Sequence, residues 1–123
     1  MIAPITKNIL IVEDDLAIVN PMIHALERIG YHIVAVLNSG EEAIEQVTMP
    51  PYPDVVIMDV VLGGRLTGIE ASKKLDPALK LPIIFITGYR PVAAAMEANN
   101  RFPLAKPFSA LDLKKAIETA LAA

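Results

Sequence analysis

The chain has 123 residues, no cysteine, a net charge of −3 and 54% apolar residues. That length makes one domain whose core needs no staples, and the missing cysteine excludes disulfides and zinc–thiolate centres. No run of basic residues marks a nucleic-acid surface, and the longest apolar runs are about half of a membrane span. Met1 to Lys7 is too short and too weakly apolar for a secretory signal, so a cytoplasmic protein without nucleic-acid or membrane partners is expected.

The first expected strand is Asn8–Val12, an unbroken apolar run of the kind covered on both faces. A helix follows from Leu16 to Ile29, with Ile18, Met22 and Leu26 at four-residue spacing and Gly30 to stop it. His32–Leu37 reads as the second strand. Ser39 and Glu42 form a capping box for a helix that must end before Pro50. Asp54–Asp59 is the third strand, Val61–Thr67 a glycine-bearing loop, and Gly68–Leu75 the third helix. Pro82–Thr87 is the fourth strand. Pro91–Asn99 is Ala-rich and helical, with Pro91 at the first position. Phe102–Ala105 is a short fifth strand whose Pro103 suits an edge. Ser109 caps the last helix, where Leu113, Ile117 and Leu121 line one side.

Five strands alternating with five helices predict an α/β, flavodoxin-like, doubly wound parallel sheet of order 2-1-3-4-5, filling residues 1–123 as a single domain. Such sheets bind ligands beyond the carboxyl ends of their strands. Glu13-Asp14-Asp15, Asp59, Thr87-Gly88 and Lys106-Pro107 stand at those ends. Several carboxylates on one rim repel one another, and one lysine cannot neutralise them. A hard cation such as Mg²⁺ would, through carboxylate and carbonyl oxygens. Phosphoryl transfer needs the same parts, and an aspartate can be its nucleophile.

The pieces ILIVEDD, VVIMDVVLGG, IIFITG and AKPF, in this order and spacing, resemble the receiver domain of bacterial two-component response regulators. The resemblance runs from about Asn8 to Leu121. It implies that Asp59 is the phosphoacceptor and that Glu13, Asp14, Asp59 and the backbone carbonyl of Val61 hold Mg²⁺. It implies that Thr87 and Lys106 grip the phosphoryl group and that the Lys106–Pro107 bond is cis. Most receivers carry an aromatic switch residue three positions before the lysine. Here Pro103 stands there, beside Phe102. With Phe85-Ile86-Thr87-Gly88-Tyr89 this is similar to the FATGY-type receivers, often stand-alone proteins, although Ile86 replaces that motif's alanine. Tyr89 is the candidate substitute for the missing ring.

The family's implied partners are a sensor histidine kinase and a downstream protein or phosphotransfer protein. The latter would meet the fourth helix, fifth strand and fifth helix, with no effector domain attached. Val61 and Tyr89 occupy the positions that tune acyl-phosphate hydrolysis, and neither orients water well, so slow autodephosphorylation is expected. On this reading the chain is no enzyme beyond its own phosphorylation and dephosphorylation.

Blander readings stand beside these. Asp15 suits a helix cap better than a metal ligand. Gly63, Gly64 and Gly68 lack the Lys-Ser/Thr of a P-loop and read as a flexible loop. His24 and His32 lie away from the rim. Competing functions are a degenerate, phosphate-independent receiver acting as a binding module, an aspartyl-phosphate phosphohydrolase, and a flavin carrier. The phosphohydrolases want Asp-x-Asp after the first strand. The acidic triplet there would repel a flavin phosphate.

Overall fold

The computed structural model describes residues 6–75, 77–88 and 100–123. Its sheet has five parallel strands in the order β2-β1-β3-β4-β5. They are β1 (Asn8–Val12), β2 (His32–Leu37), β3 (Val55–Asp59), β4 (Ile83–Thr87) and β5 (Arg101–Ala105). Among the described residues the helices are α1 (Leu16–Ile29), α2 (Gly40–Gln46), α3 (Gly68–Lys73) and α4 (Ala110–Ala122), with a 3-10 turn at Pro77–Leu79. The helix expected over Pro91–Asn99 lies outside the described residues, so four α-helices are seen where five were expected.

Every residue of β3 and β4 is buried, as a strand covered on both faces requires. The two faces make two cores. Ile9, Ile11, Ile57, Ile84 and Ile86 pack under α1 and α4, against Met22, Leu26, Leu113 and Ile117. Leu10, Val12, Val56, Met58 and Phe85 pack on the other face, against Ala43 of α2 and Ala71 of α3. In α4 it is Ala120, not Leu121, that is fully buried, while Leu121 packs at the margin.

The element ends follow from local chemistry. Asp15 caps α1, its side chain accepting from the Ala17 N–H at 3.0 Å, as the capping reading required. Gly30 ends that helix at φ +111°, a left-handed conformation that suits glycine. Thr67–Glu70 and Ser109–Asp112 form full capping boxes at α3 and α4. β3 starts at Val55 rather than Asp54, whose side chain accepts from the Asn8 N–H at 2.7 Å while its own N–H donates to the Asn8 carbonyl. Helix α3 stops at Lys73, two residues early, where the chain turns toward Pro77. Pro103 sits in an edge strand, where its missing N–H breaks no second ladder.

Candidate functional site

The carboxyl ends of β1, β3, β4 and β5 bring Glu13, Asp59, Thr87 and Lys106 to one rim. Parallel register is what does this. Asp59 pairs with Ile86 and Thr87 with Ala105, so Asp59, Thr87 and Lys106 fall on neighbouring strand ends. The Lys106 N–H donates to the Thr87 carbonyl at 2.8 Å and extends the ladder by one step. The Lys106–Pro107 bond is cis, as the family resemblance implied.

Asp59 is 6% exposed and both its carboxylate oxygens are engaged. Oδ1 accepts from the Val61 N–H at 2.8 Å and Oδ2 from Lys106 Nζ at 2.7 Å. Burial works to raise the Asp59 pKa, but the neighbouring Glu13 carboxyl, the Lys106 ammonium and the Val61 N–H outweigh it and hold the pKa below the usual range. For Lys106 burial works downward, and the bond to Asp59 with the charges of Asp59 and Glu13 carries its pKa above the ordinary value.

Glu13 is 2% exposed. Its Oε1 accepts from the Asp15 N–H at 3.1 Å. Its Oε2 is buried without a hydrogen-bond partner among the described residues, and Lys106 Nζ stands 3.7 Å away, an ion-pair distance only. Burial, and then the facing Asp59 carboxylate, push the Glu13 pKa up to about 8. A buried carboxylate oxygen with no donor is a costly group, and a hard cation is the partner its chemistry suits. Among the described residues, no three acidic, His or Cys side chains are already drawn together as a metal cage. Lys106 reaches toward both buried carboxylates and supplies the positive charge there. The donor set still fits Mg²⁺, which takes a few protein oxygens and retains water.

Asp14 is exposed at the mouth of the rim, and a Cβ added at Gly63 would stand 3.5 Å from its Oδ2. Val61 turns its side chain to solvent and gives its N–H to Asp59, leaving its carbonyl as the candidate oxygen. Thr87 is buried at the end of β4. Of the described switch candidates, Thr87 stands at the rim and Phe102 and Pro103 do not. Phe102 pairs with Ile84, three residues below Thr87, and packs into the core under α1 and α4. Pro103 pairs with Phe85. Tyr89 lies outside the described residues.

Three supports of the site were not visible in the sequence. A Cβ at Gly68 would run into the backbone carbonyl of Asp59, and the Gly68 N–H donates to the Val60 carbonyl at 2.8 Å. Gly68 is therefore a steric requirement beside the acceptor, not a flexible loop residue. Glu41 accepts from the Leu66 N–H at 2.9 Å across 25 residues, and Ser39 bridges to Gly63. These bonds fasten the loop after Asp59 to the start of α2. The one available signal was the Thr67-Gly68 pair at a helix start.

Residues 9–118 match the family model described as the response regulator receiver domain. The chain belongs to that family. It is 35% identical to the transcriptional regulatory protein PdtaR of Mycobacterium tuberculosis over 97% of its own length and 58% of that protein's. It is 34% identical to the response regulator receiver protein CpdR of Brucella abortus, over 95% of this chain and 98% of that one. The signal receiver domain of a modulated diguanylate cyclase from Desulfovibrio desulfuricans superposes with a TM-score of 0.82 at 34% identity, covering 95% and 94% of the two chains. The chain thus spans under two thirds of PdtaR and nearly all of CpdR. It is a response-regulator receiver, a signalling domain of a family that meets kinases and downstream partners. No described helix is long and apolar enough to cross a membrane.

Proposed function

We propose that this receiver takes a phosphoryl group on Asp59 from a phosphohistidine of a sensor histidine kinase, in the cytoplasm, and signals through protein contact or onward phosphoryl transfer. The observation that carries this is the clamped acceptor: a buried Asp59 held by Lys106 and the Val61 N–H, beside a Glu13 oxygen with no donor among the described residues. An Asp59 oxygen attacks phosphorus, the P–N bond breaks, and the imidazole leaves with the bonding pair and takes up a proton. The acceptor ends as an acyl phosphate. Lys106 then follows the transferred oxygens as a point charge, and Thr87 donates its hydroxyl to one of them. Glu13, Asp14, Asp59 and the Val61 carbonyl would hold Mg²⁺, which supplies charge neutralisation of the phosphoryl oxygens.

The switch step is a local electrostatic change read out by packing. Family resemblance directs the output contacts through the segment 91–99, β5 and α4, with Tyr89 standing in for the absent ring. Residues 1–123 act on this reading as one receiver unit, which the end-to-end match to CpdR supports.

Incubation with Mg²⁺ and acetyl phosphate, followed by intact mass, tests the reading beside Asp59→Asn. One added phosphoryl group on the wild type alone is expected. Addition to both proteins would move the acceptor elsewhere. Addition to neither, also with a kinase as donor, would leave a phosphate-independent binding module.

A further inference from the structure

Glu13 and Asp59 are oriented by the same local device. In each carboxylate one oxygen accepts from the main-chain N–H two residues further on, Glu13 Oε1 from Asp15 at 3.1 Å and Asp59 Oδ1 from Val61 at 2.8 Å. The other oxygen of each then faces Lys106 Nζ, which stands 3.7 Å from Glu13 Oε2 and 2.7 Å from Asp59 Oδ2. The Val61 N–H belongs to a loop, whereas the Asp15 N–H belongs to the N-cap of α1. The orientation of Glu13 is therefore tied to how α1 begins.

The other helices show what usually takes such an N–H. At α3 the Thr67 N–H donates to Glu70, and at α4 the Ser109 N–H donates to Asp112, both at 3.0 Å and both closing a capping box. At α2 Glu42 reaches back in the same sense, to the Asn38 N–H. Helix α1 has Ile18 at that position, packed against the core, and no acid in its first turn. Ile18 offers no acceptor, and Glu13 takes the N-cap N–H from the upstream side instead. That N–H is held in place by its own residue. The Asp15 side chain accepts from the Ala17 N–H at 3.0 Å, and the Asp15 carbonyl accepts from the Ile18 and Val19 N–H groups, each at 3.0 Å. The Glu13 main chain is fixed as well, its N–H donating to the Leu37 carbonyl at 2.9 Å. With main chain and Oε1 both held, the oxygen left to present is Oε2, which has no donor among the described residues.

We propose that Asp15 is a positioning residue of the metal site, its N–H, fixed by the α1 cap, turning Glu13 so that Oε2 faces the ion. This rests on the reading that Glu13 helps to hold Mg²⁺. Loss of a partner that orients a metal ligand typically costs about 10- to 100-fold in metal affinity.

Three substitutions at this position separate the N–H from the cap and the charge. Asp15→Pro removes both the N–H and the cap, at a φ of −86° that lies near the range proline fixes. Asp15→Ala removes the cap and keeps the N–H. Asp15→Asn keeps both and removes the charge alone. Mg²⁺ affinity is measured by isothermal titration above pH 8, where Glu13 is ionised, in salt that screens the exposed Asp15 charge. Urea midpoints are taken without Mg²⁺. Asp15→Pro is expected to bind Mg²⁺ about tenfold more weakly than Asp15→Ala at a similar urea midpoint, with Asp15→Asn close to the wild type. Equal affinities in the Pro and Ala variants would assign the effect to the cap, and an equal loss in Asp15→Asn would assign it to the charge. Either result overturns the proposal. A second readout needs neither Mg²⁺ nor proline. The Asp15 amide proton, bonded to a carboxylate, is expected downfield in the ¹⁵N-labelled protein and should move upfield in Glu13→Ala. An unmoved resonance overturns the proposal even where Asp15→Pro fails to fold. A wild type without saturable Mg²⁺ binding would overturn the metal reading and this proposal together, whereas in the other adverse outcomes the wild type binds and the proposal alone falls.

Discussion

Gly68 is the residue whose role is sharpest at the scale of single atoms. Its missing side chain lets α3 start directly against the Asp59 carbonyl. Gly68→Ala must push either that carbonyl or the helix start away, and overpacking of this kind costs about 1–3 kcal/mol. A lower urea midpoint with an unchanged slope is expected, together with slower phosphorylation by acetyl phosphate. Normal rates in the folded variant would show that the acceptor tolerates the shift. Glu13 makes the complementary case. Its Oε2 has no donor among the described residues, so Glu13→Gln should cost the protein little stability when Mg²⁺ is withheld. Above pH 8, where the Glu13 carboxyl is ionised, the same change should weaken Mg²⁺ binding by about tenfold through the loss of one charge at short range, as isothermal titration would measure. A large loss of metal-free stability with unchanged Mg²⁺ affinity would instead make Glu13 a structural partner of Lys106.

Elements transmit these effects through the loop after β3. Glu41 at the start of α2 holds the Leu66 N–H, and Ser39 bridges to Gly63, so α2 anchors the loop that presents Val61. Glu41→Ala should free that loop. The expected result is a raised Mg²⁺ requirement and slower phosphorylation, with Glu41→Gln restoring much of both because an amide oxygen still accepts. Equal impairment by Gln and Ala would point to the charge rather than the hydrogen bond. Ser109→Ala removes the α4 cap, whose hydrogen bonds go to Asp112. It should lower stability by about 1 kcal/mol and leave phosphorylation untouched. The strands, their order and the rim residues were legible because apolar runs, caps and strand-end acids are local signals. The Glu41–Leu66 latch was not, since an exposed-looking Glu two residues into a helix carries no mark of a partner 25 residues on. Phe102 was placed beside the switch by adjacency to Pro103, but strand alternation turns it into the core under α1 and α4. Gly68 looked like loop punctuation because steric need shows only when two segments meet.

At the scale of the whole molecule, two apolar cores grip one sheet from either side, and the sheet ends in a rim that works against both. The cores cover β1, β3 and β4 on both faces and hold Glu13 and Asp59 at the ends of adjacent strands. Lys106 offsets part of the cost of that proximity, at 2.7 Å from Asp59 and 3.7 Å from Glu13. A divalent ion that binds only the folded chain should offset more, and binding linkage sets the size. At a free concentration one hundred times the dissociation constant, the folded state gains about 2.7 kcal/mol. For a domain of this length that corresponds to a rise of roughly 10 °C in Tm. Scanning calorimetry with Mg²⁺ against NaCl of equal ionic strength separates this from general screening, which raises Tm only slightly for so local a cluster. Asp14→Asn, at the exposed mouth of the rim, should remove most of the Mg²⁺-specific rise while leaving the metal-free Tm near that of the wild type. A rise that survives in Asp14→Asn would place the ion away from the rim, and equal rises in both salts would make the stabilisation simple screening of an acidic chain.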